Sequence, residues 1–204
     1  LCVLGVLFLS FQVQAGVGLS QTRIIINGDT NTASISARNN NAQPYLVSNF
    51  ITEKLDTSSP PLSGMFVVTP NIFRLAPESE NTIKIQIIPT NLPKDRESLY
   101  YFHSRNIPST NKNEDGIKIA MENIIKVFYR PINLAINPKE AGDKLVVKAT
   151  PNGISIENPT PYYINLFKIT VKNETIKLNK INNMIEPFSS KNYVVSNKTG
   201  AVNI

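Results

Sequence analysis

GIKIAMENIIKVFYRP, residues 116–131, decides how the rest of the chain is read. Ile117, Ile119, Met121, Ile125, Val127 and Tyr129 recur at a spacing of two or multiples of two, which lines one side of an extended strand and suits no helix. The run is longer than the usual strand of about five or six residues. Lys126 and Arg130 stand near its end, where Arg130-Pro131 stops it.

Composition agrees with that reading. The 204 residues are 41% hydrophobic and 18% charged, enough to bury a core, in one large or two small domains. Val, Ile and Thr crowd segments broken by 14 prolines and by Asn-rich turns, and tryptophan is absent. This favours strands throughout, and an all-β protein is expected. The formal net charge of +6 comes from scattered Lys and Arg, with no basic block of the kind that binds nucleic acid.

Strand-like runs are expected at RIIIN (23–27), TASISARN (32–39), PYLVSNFITE (44–53), TIKIQIIP (82–89) and SLYYFHSRNIP (98–108), with turn-rich pieces between them. Many short strands at this spacing point to a sandwich. In SGMFVVTPNIFRLAP (63–77), Pro70 splits two apolar bursts and suggests an edge or a break. Beyond Pro131, INLAINPKEAGD shows little alternation, so a domain boundary is expected there, with one domain over 16–133 and a second over 134–204. Within the second, LVVKATPNGISIEN reads as a hairpin, because Asn152-Gly153 accommodates positive φ. YYINLFKITVK and ETIKLN add strands. The second domain has only about seventy residues where a sandwich has about a hundred, so C-terminal strands are expected to be missing from it.

Residues 1–15, LCVLGVLFLSFQVQA, are apolar, too short for a bilayer span, and end on small-residue spacing at Val13-Gln14-Ala15. They read as part of a signal peptide cut after Ala15, which would remove Cys2 and leave the visible mature chain without disulfides. No membrane span is expected in the mature chain.

Three groups of stretches carry a resemblance: PYLVSNFI (44–51), then RLAP (74–77) with LPKDRESLYYFHSRNIP (92–108), then IKVFYRP (125–131) with ENPTPYY (157–163). From Gly16 to its end the chain resembles the PapD-like periplasmic chaperones of the chaperone-usher pilus pathway. The short segment STNKNED before Gly116, with no cysteine after Cys2, looks like the short-loop subfamily. The resemblance implies two immunoglobulin-like β-sandwich domains set as an L, a periplasmic location, no cofactor, no metal and no catalysis. It implies pilus (fimbrial) subunits and an outer-membrane usher as partners.

The same resemblance assigns residues. Arg23 in LSQTRIII and Lys126 in IIKVFYRP match the cleft cations that bind a subunit's C-terminal carboxylate. Two neighbouring cations repel, so a shared carboxylate relieves both. Ile117, Ile119 and Met121 match the donor strand that completes a subunit lacking its own last strand, with alternate side chains entering successive pockets. Lys126 would fix the register, lying five residues or roughly 17 Å from Met121 at about 3.3 Å per residue. Asn123 interrupts the odd-numbered face and Lys126 has the opposite parity, so a twist or bulge is expected. Glu97 and Lys84 match a structural ion pair between the domains, with lysine where the family usually has arginine and therefore no bidentate fork. His103 reads as a structural or exposed histidine. An exposed donor edge also implies weak self-association through 117–129.

An enzyme is disfavoured by the absence of a nucleophile motif, a phosphate loop or metal-ligand spacing, and Glu114-Asp115 sits in a polar loop. A structural surface or pilus protein of the same sandwich class is the other reading. A disulfide and no basic pair would favour it.

Overall fold

The computed structural model describes residues 16–56, 59–109, 119–171, 174–179, 182–194 and 202–203. The expected signal segment 1–15, and Ile117, lie outside them. The first strands are β1 (Val17–Leu19), β2 (Arg23–Asn27), β3 (Thr32–Asn39), β4 (Tyr45–Thr52), β5 (Phe66–Thr69), β6 (Ile72–Leu75), β7 (Glu80–Ile87), β8 (Ser98–Pro108) and β9 (Met121–Arg130). After two short 3-10 turns at Pro138–Glu140 and Gly142–Lys144 come β10 (Val146–Thr150), β11 (Gly153–Asn158), β12 (Ile164–Asn165), β13 (Ile169–Val171), β14 (Glu174–Ile176), β15 (Met184–Ile185), β16 (Ser189–Val194) and β17 (Val202–Asn203). The chain is all-β, as its alternation requires.

Compact packing divides the chain into two units, one of residues 1–24, 32–88 and 100–127, the other of 25–31, 89–99 and 128–204. β1-β3-β7-β5 form a four-stranded sheet, and β2-β9-β8-β4-β6 form a five-stranded one. Strict alternation on β7 buries Ile83, Ile85 and Ile87 and turns Thr82, Lys84 and Gln86 outward. Its antiparallel partner β3 sets Ile35 against Ile83. Phe66 of the four-stranded sheet meets Tyr100 of the five-stranded one edge to face, centroids 4.9 Å apart, so side chains of the two sheets share a buried layer. Pro70 stands between β5 and β6, and the chain changes sheet there.

In the second unit β10-β11-β16 and β14-β13-β17 form three-stranded sheets, and β12 pairs with β15. Ile154, Ile156, Leu166, Ile169, Val171, Ile185 and Tyr193 make its core. β10 and β11 form the expected antiparallel hairpin, but its turn residues are Pro151 and Asn152, neither at positive φ: Gly153 already pairs with Thr150 as the first residue of β11, so the Asn-Gly reason does not hold.

Each unit pins one corner with a buried asparagine. Asn39, ending β3, accepts from Asn41 N at 3.0 Å and donates to the carbonyls of Gln43 and Ala76, both at 2.8 Å. Asn158, ending β11, accepts from Thr160 N at 3.1 Å and donates to the carbonyls of Tyr162 at 2.7 Å and Glu186 at 2.9 Å. A side chain that both accepts and donates satisfies backbone groups that a turn would otherwise leave unpaired. Gly28 is needed for a close approach: its N–H donates to Arg130 O at 2.7 Å, and a Cβ there would stand 3.1 Å from that oxygen.

Candidate functional site

β9 changes character along its length. Met121, its first residue, is 54% exposed and Ile119, two residues before the strand begins, 73%, whereas Val127, Phe128 and Tyr129 are buried in succession. The strict alternation expected of this run therefore gives way near its end, where both faces are covered; Phe128 packs against Tyr163 with centroids 5.7 Å apart. Asn123, the polar interruption, donates from Nδ2 to Val17 O at 2.9 Å and so ties the first half of β9 to β1. Met121 Sδ lies 3.3 Å from where a Cβ on Gly16 would stand, so the chain approaches closely there while most of the Met121 side chain faces solvent.

Arg23 opens β2, which neighbours β9, and its side chain is exposed. Lys126 on β9 is half-buried. Burial first, and the positive charge of Arg23 second, push the Lys126 ammonium below its ordinary pKa. The structure thus brings the two cations singled out in the sequence close enough for the charge of Arg23 to bear on Lys126. An anion between them would reverse both unfavourable contributions.

Glu97 is almost fully buried, yet its cation is Arg130, not the Lys84 expected. Arg130 Nε donates to Glu97 Oε1 at 2.8 Å, Tyr163 N donates to Oε2 at 2.9 Å, and Glu97 N donates to Pro161 O at 2.9 Å. Lys84 is exposed on the outward face of β7, where alternation puts it. Burial raises the Glu97 pKa, opposed by the Tyr163 N–H and by Arg130. The Arg130 guanidinium also lies 5.2 Å from the Tyr162 ring centroid, and Tyr162 OH donates to Ile136 O at 2.6 Å. Arg130, near the end of the opening stretch, thus gives this carboxylate one charge-assisted hydrogen bond, while the Tyr163 N–H holds its other oxygen.

The family model for the pili and flagellar-assembly chaperone PapD N-terminal domain matches residues 16–135, and that for the pili assembly chaperone PapD C-terminal domain matches 140–204. The chain belongs to the PapD-like pilus chaperones. It is 36% identical over 193 residues to the probable fimbrial chaperone ElfD of Escherichia coli O157:H7, covering 93% of this chain and 78% of that protein. To the Escherichia coli chaperone PapD it is 34% identical over 164 residues, covering 78% and 68%. Among solved structures it matches the E. coli chaperone DraB with a TM-score of 0.77 at 29% identity, covering 92% and 87%. It matches a chain of the Salmonella enterica SafA pilin in complex with the SafB chaperone at 0.75 and 29%, covering 88% and 83%. PapD-like chaperones share the sandwich architecture of immunoglobulin domains, and the strand pattern here is of that class.

Proposed function

We propose that this PapD-like chaperone works in the periplasm and binds pilus subunits by lending them the first half of β9. Ile119 and Met121, with Ile117 before them, enter the groove of a subunit that lacks its last strand; backbone pairing supplies affinity and the alternate side chains set register. Arg23 and Lys126 hold the subunit's C-terminal carboxylate. The completed subunit is then delivered to an outer-membrane usher, with no nucleotide and no catalytic step.

One observation carries the reading: a chain with a well-buried core leaves Ile119 and Met121 largely exposed just before and at the start of a strand whose later residues include Lys126, depressed in pKa by burial and by Arg23. Single exposed apolar residues are ordinary on protein surfaces, but here they precede two mutually repelling cations on adjoining strands. The test is periplasmic co-expression with a candidate pilus subunit and co-purification. Wild type retains the subunit; Lys126→Ala and Arg23→Ala stay folded and lose it, since truncating one partner of a desolvated charge contact costs about 2–5 kcal/mol of binding. Equal retention by all three would remove the carboxylate anchor.

A further inference from the structure

His103 and Glu122 stand together beside the exposed half of β9 without a use in the reading above. His103 on β8 is buried. Register pairs it with Phe50 on β4, whose ring stacks on the imidazole at 4.7 Å and 9°. Its Nε2 lies 2.9 Å from Thr52 Oγ1. Among the described residues its Nδ1 has no hydrogen-bond partner, but it lies 3.5 Å from Glu122 Oε1, an oxygen that also accepts from Arg105 Nη2 at 3.2 Å.

The hydrogen bonds fix where the ring's first proton sits. Thr52 has one hydroxyl hydrogen, and it is donated to Lys54 O at 2.8 Å. Towards the imidazole Thr52 can therefore only accept, so Nε2 carries the hydrogen and the neutral ring turns a lone pair at Nδ1 towards a carboxylate oxygen. That arrangement is repulsive, and one proton converts it into a charge-assisted hydrogen bond. The charged groups facing the ring are Glu122 from β9 and Arg105 from β8; β4 faces it with Phe50 and Thr52.

We propose that His103 and Glu122 form a proton-operated latch beneath the first half of β9. In mildly acidic medium Nδ1 takes up a proton, its N–H closes on Glu122 Oε1, and the β9 backbone next to Met121 is held in place. In neutral medium the ring is uncharged, and Glu122 is held by Arg105 alone, whose side chain is half exposed. Burial lowers the His103 pKa, and Glu122 opposes that lowering, so the latch closes on the acid side of an ordinary histidine. The proton site stands on its own geometry; its consequence for subunit capture rests on the donor-edge reading.

The chain contains one histidine, so with a histidine-free tag its ring resonances are unambiguous. NMR titration should show a ring that is Nε2-protonated when neutral. Glu122→Gln should move its midpoint down, and Arg105→Gln should move it up. Amide exchange at residues 121–123, corrected for the intrinsic pH dependence, should slow in step with ring protonation in wild type and stay level in Glu122→Gln and His103→Gln. An unmoved midpoint in Glu122→Gln, or exchange indifferent to ring protonation in wild type, overturns the latch. Should His103→Gln fail to fold, the opposite shifts of the other two variants decide. Subunit co-purification at pH 5.5 and 7.5 separates the two readings: a working latch with no subunit retained at either pH leaves the proton site standing and removes the donor edge.

Discussion

Ile119, just before β9, and Met121, its first residue, meet solvent, while Val127, Phe128 and Tyr129, a few residues on, are at most 7% exposed. Hydropathy does not separate the two stretches. What separates them is cover: near its end β9 is covered on both faces, and near its beginning Asn123 and Glu122 tie it to β1 and β8 through polar contacts while leaving the apolar side chains outward. An apolar residue stabilises its own fold only by the area that the fold removes from water. The first half of β9 has that area left over.

The comparison breaks most readily in the buried half. Phe128→Ala should cost about 3–5 kcal/mol of stability, the usual range for truncating a buried phenylalanine, and lower the urea midpoint accordingly. An unchanged midpoint would mean that the covered half is no more committed than the exposed one. Next is the ion pair at the end of the strand: Glu97→Ala leaves Arg130 and the Tyr163 N–H without their acceptor and should cost about 2–4 kcal/mol, tempered by the partial exposure of Arg130. Lys84→Ala, on an outward face, should be within about 0.5 kcal/mol of wild type.

A pH series sharpens the contrast at the strand's first half. Because burial holds the folded His103 pKa below 6.5, the unfolded chain binds more protons between the folded value and 6.5. Stability should therefore fall as the pH drops through that window, and rise again on returning to neutrality. Urea midpoints of wild type and His103→Gln, compared at pH 7 and on the acid side, isolate this contribution; parallel curves would show that His103 does not titrate differently on folding. The smallest expected stability effect belongs to the exposed side chains: Ile119→Ser and Met121→Ser should each shift stability by no more than about 0.5 kcal/mol. The same variants should weaken subunit co-purification. A large stability loss from either would assign these residues to the chain's own core.

Much of the fold was legible because alternation is local. TASISARN and SLYYFHSRNIP are β3 and β8 with the boundaries read from the sequence, and the expected β10–β11 hairpin forms, though around Pro151-Asn152 rather than Asn152-Gly153. β1, β15 and β16 were not read as strands. VGL and MI are too short to show a period, and SSKNYV carries mostly polar residues that pair with β11 along one edge. For the site, the pairing of Arg23 with Lys126 came through the family resemblance, and in the structure the charge of Arg23 acts on Lys126. The partner of Glu97 was misassigned, because an ion pair is chosen by three-dimensional approach and nothing in residue spacing distinguishes Lys84 from Arg130.

The sequence by itself determined that this chain is all-β, where most of its strands and its strongest hairpin lie, and, through a few specific stretches, which chaperone family it belongs to. These are properties of nearest neighbours and of short patterns, which one dimension records. Only the tertiary structure decided which half of β9 is covered, that Glu97 takes Arg130, and that His103 faces Glu122 with its Nε2 hydrogen already committed. Each of these depends on side chains distant in the chain meeting in a medium that excludes water, where burial, hydrogen-bond direction and charge act together.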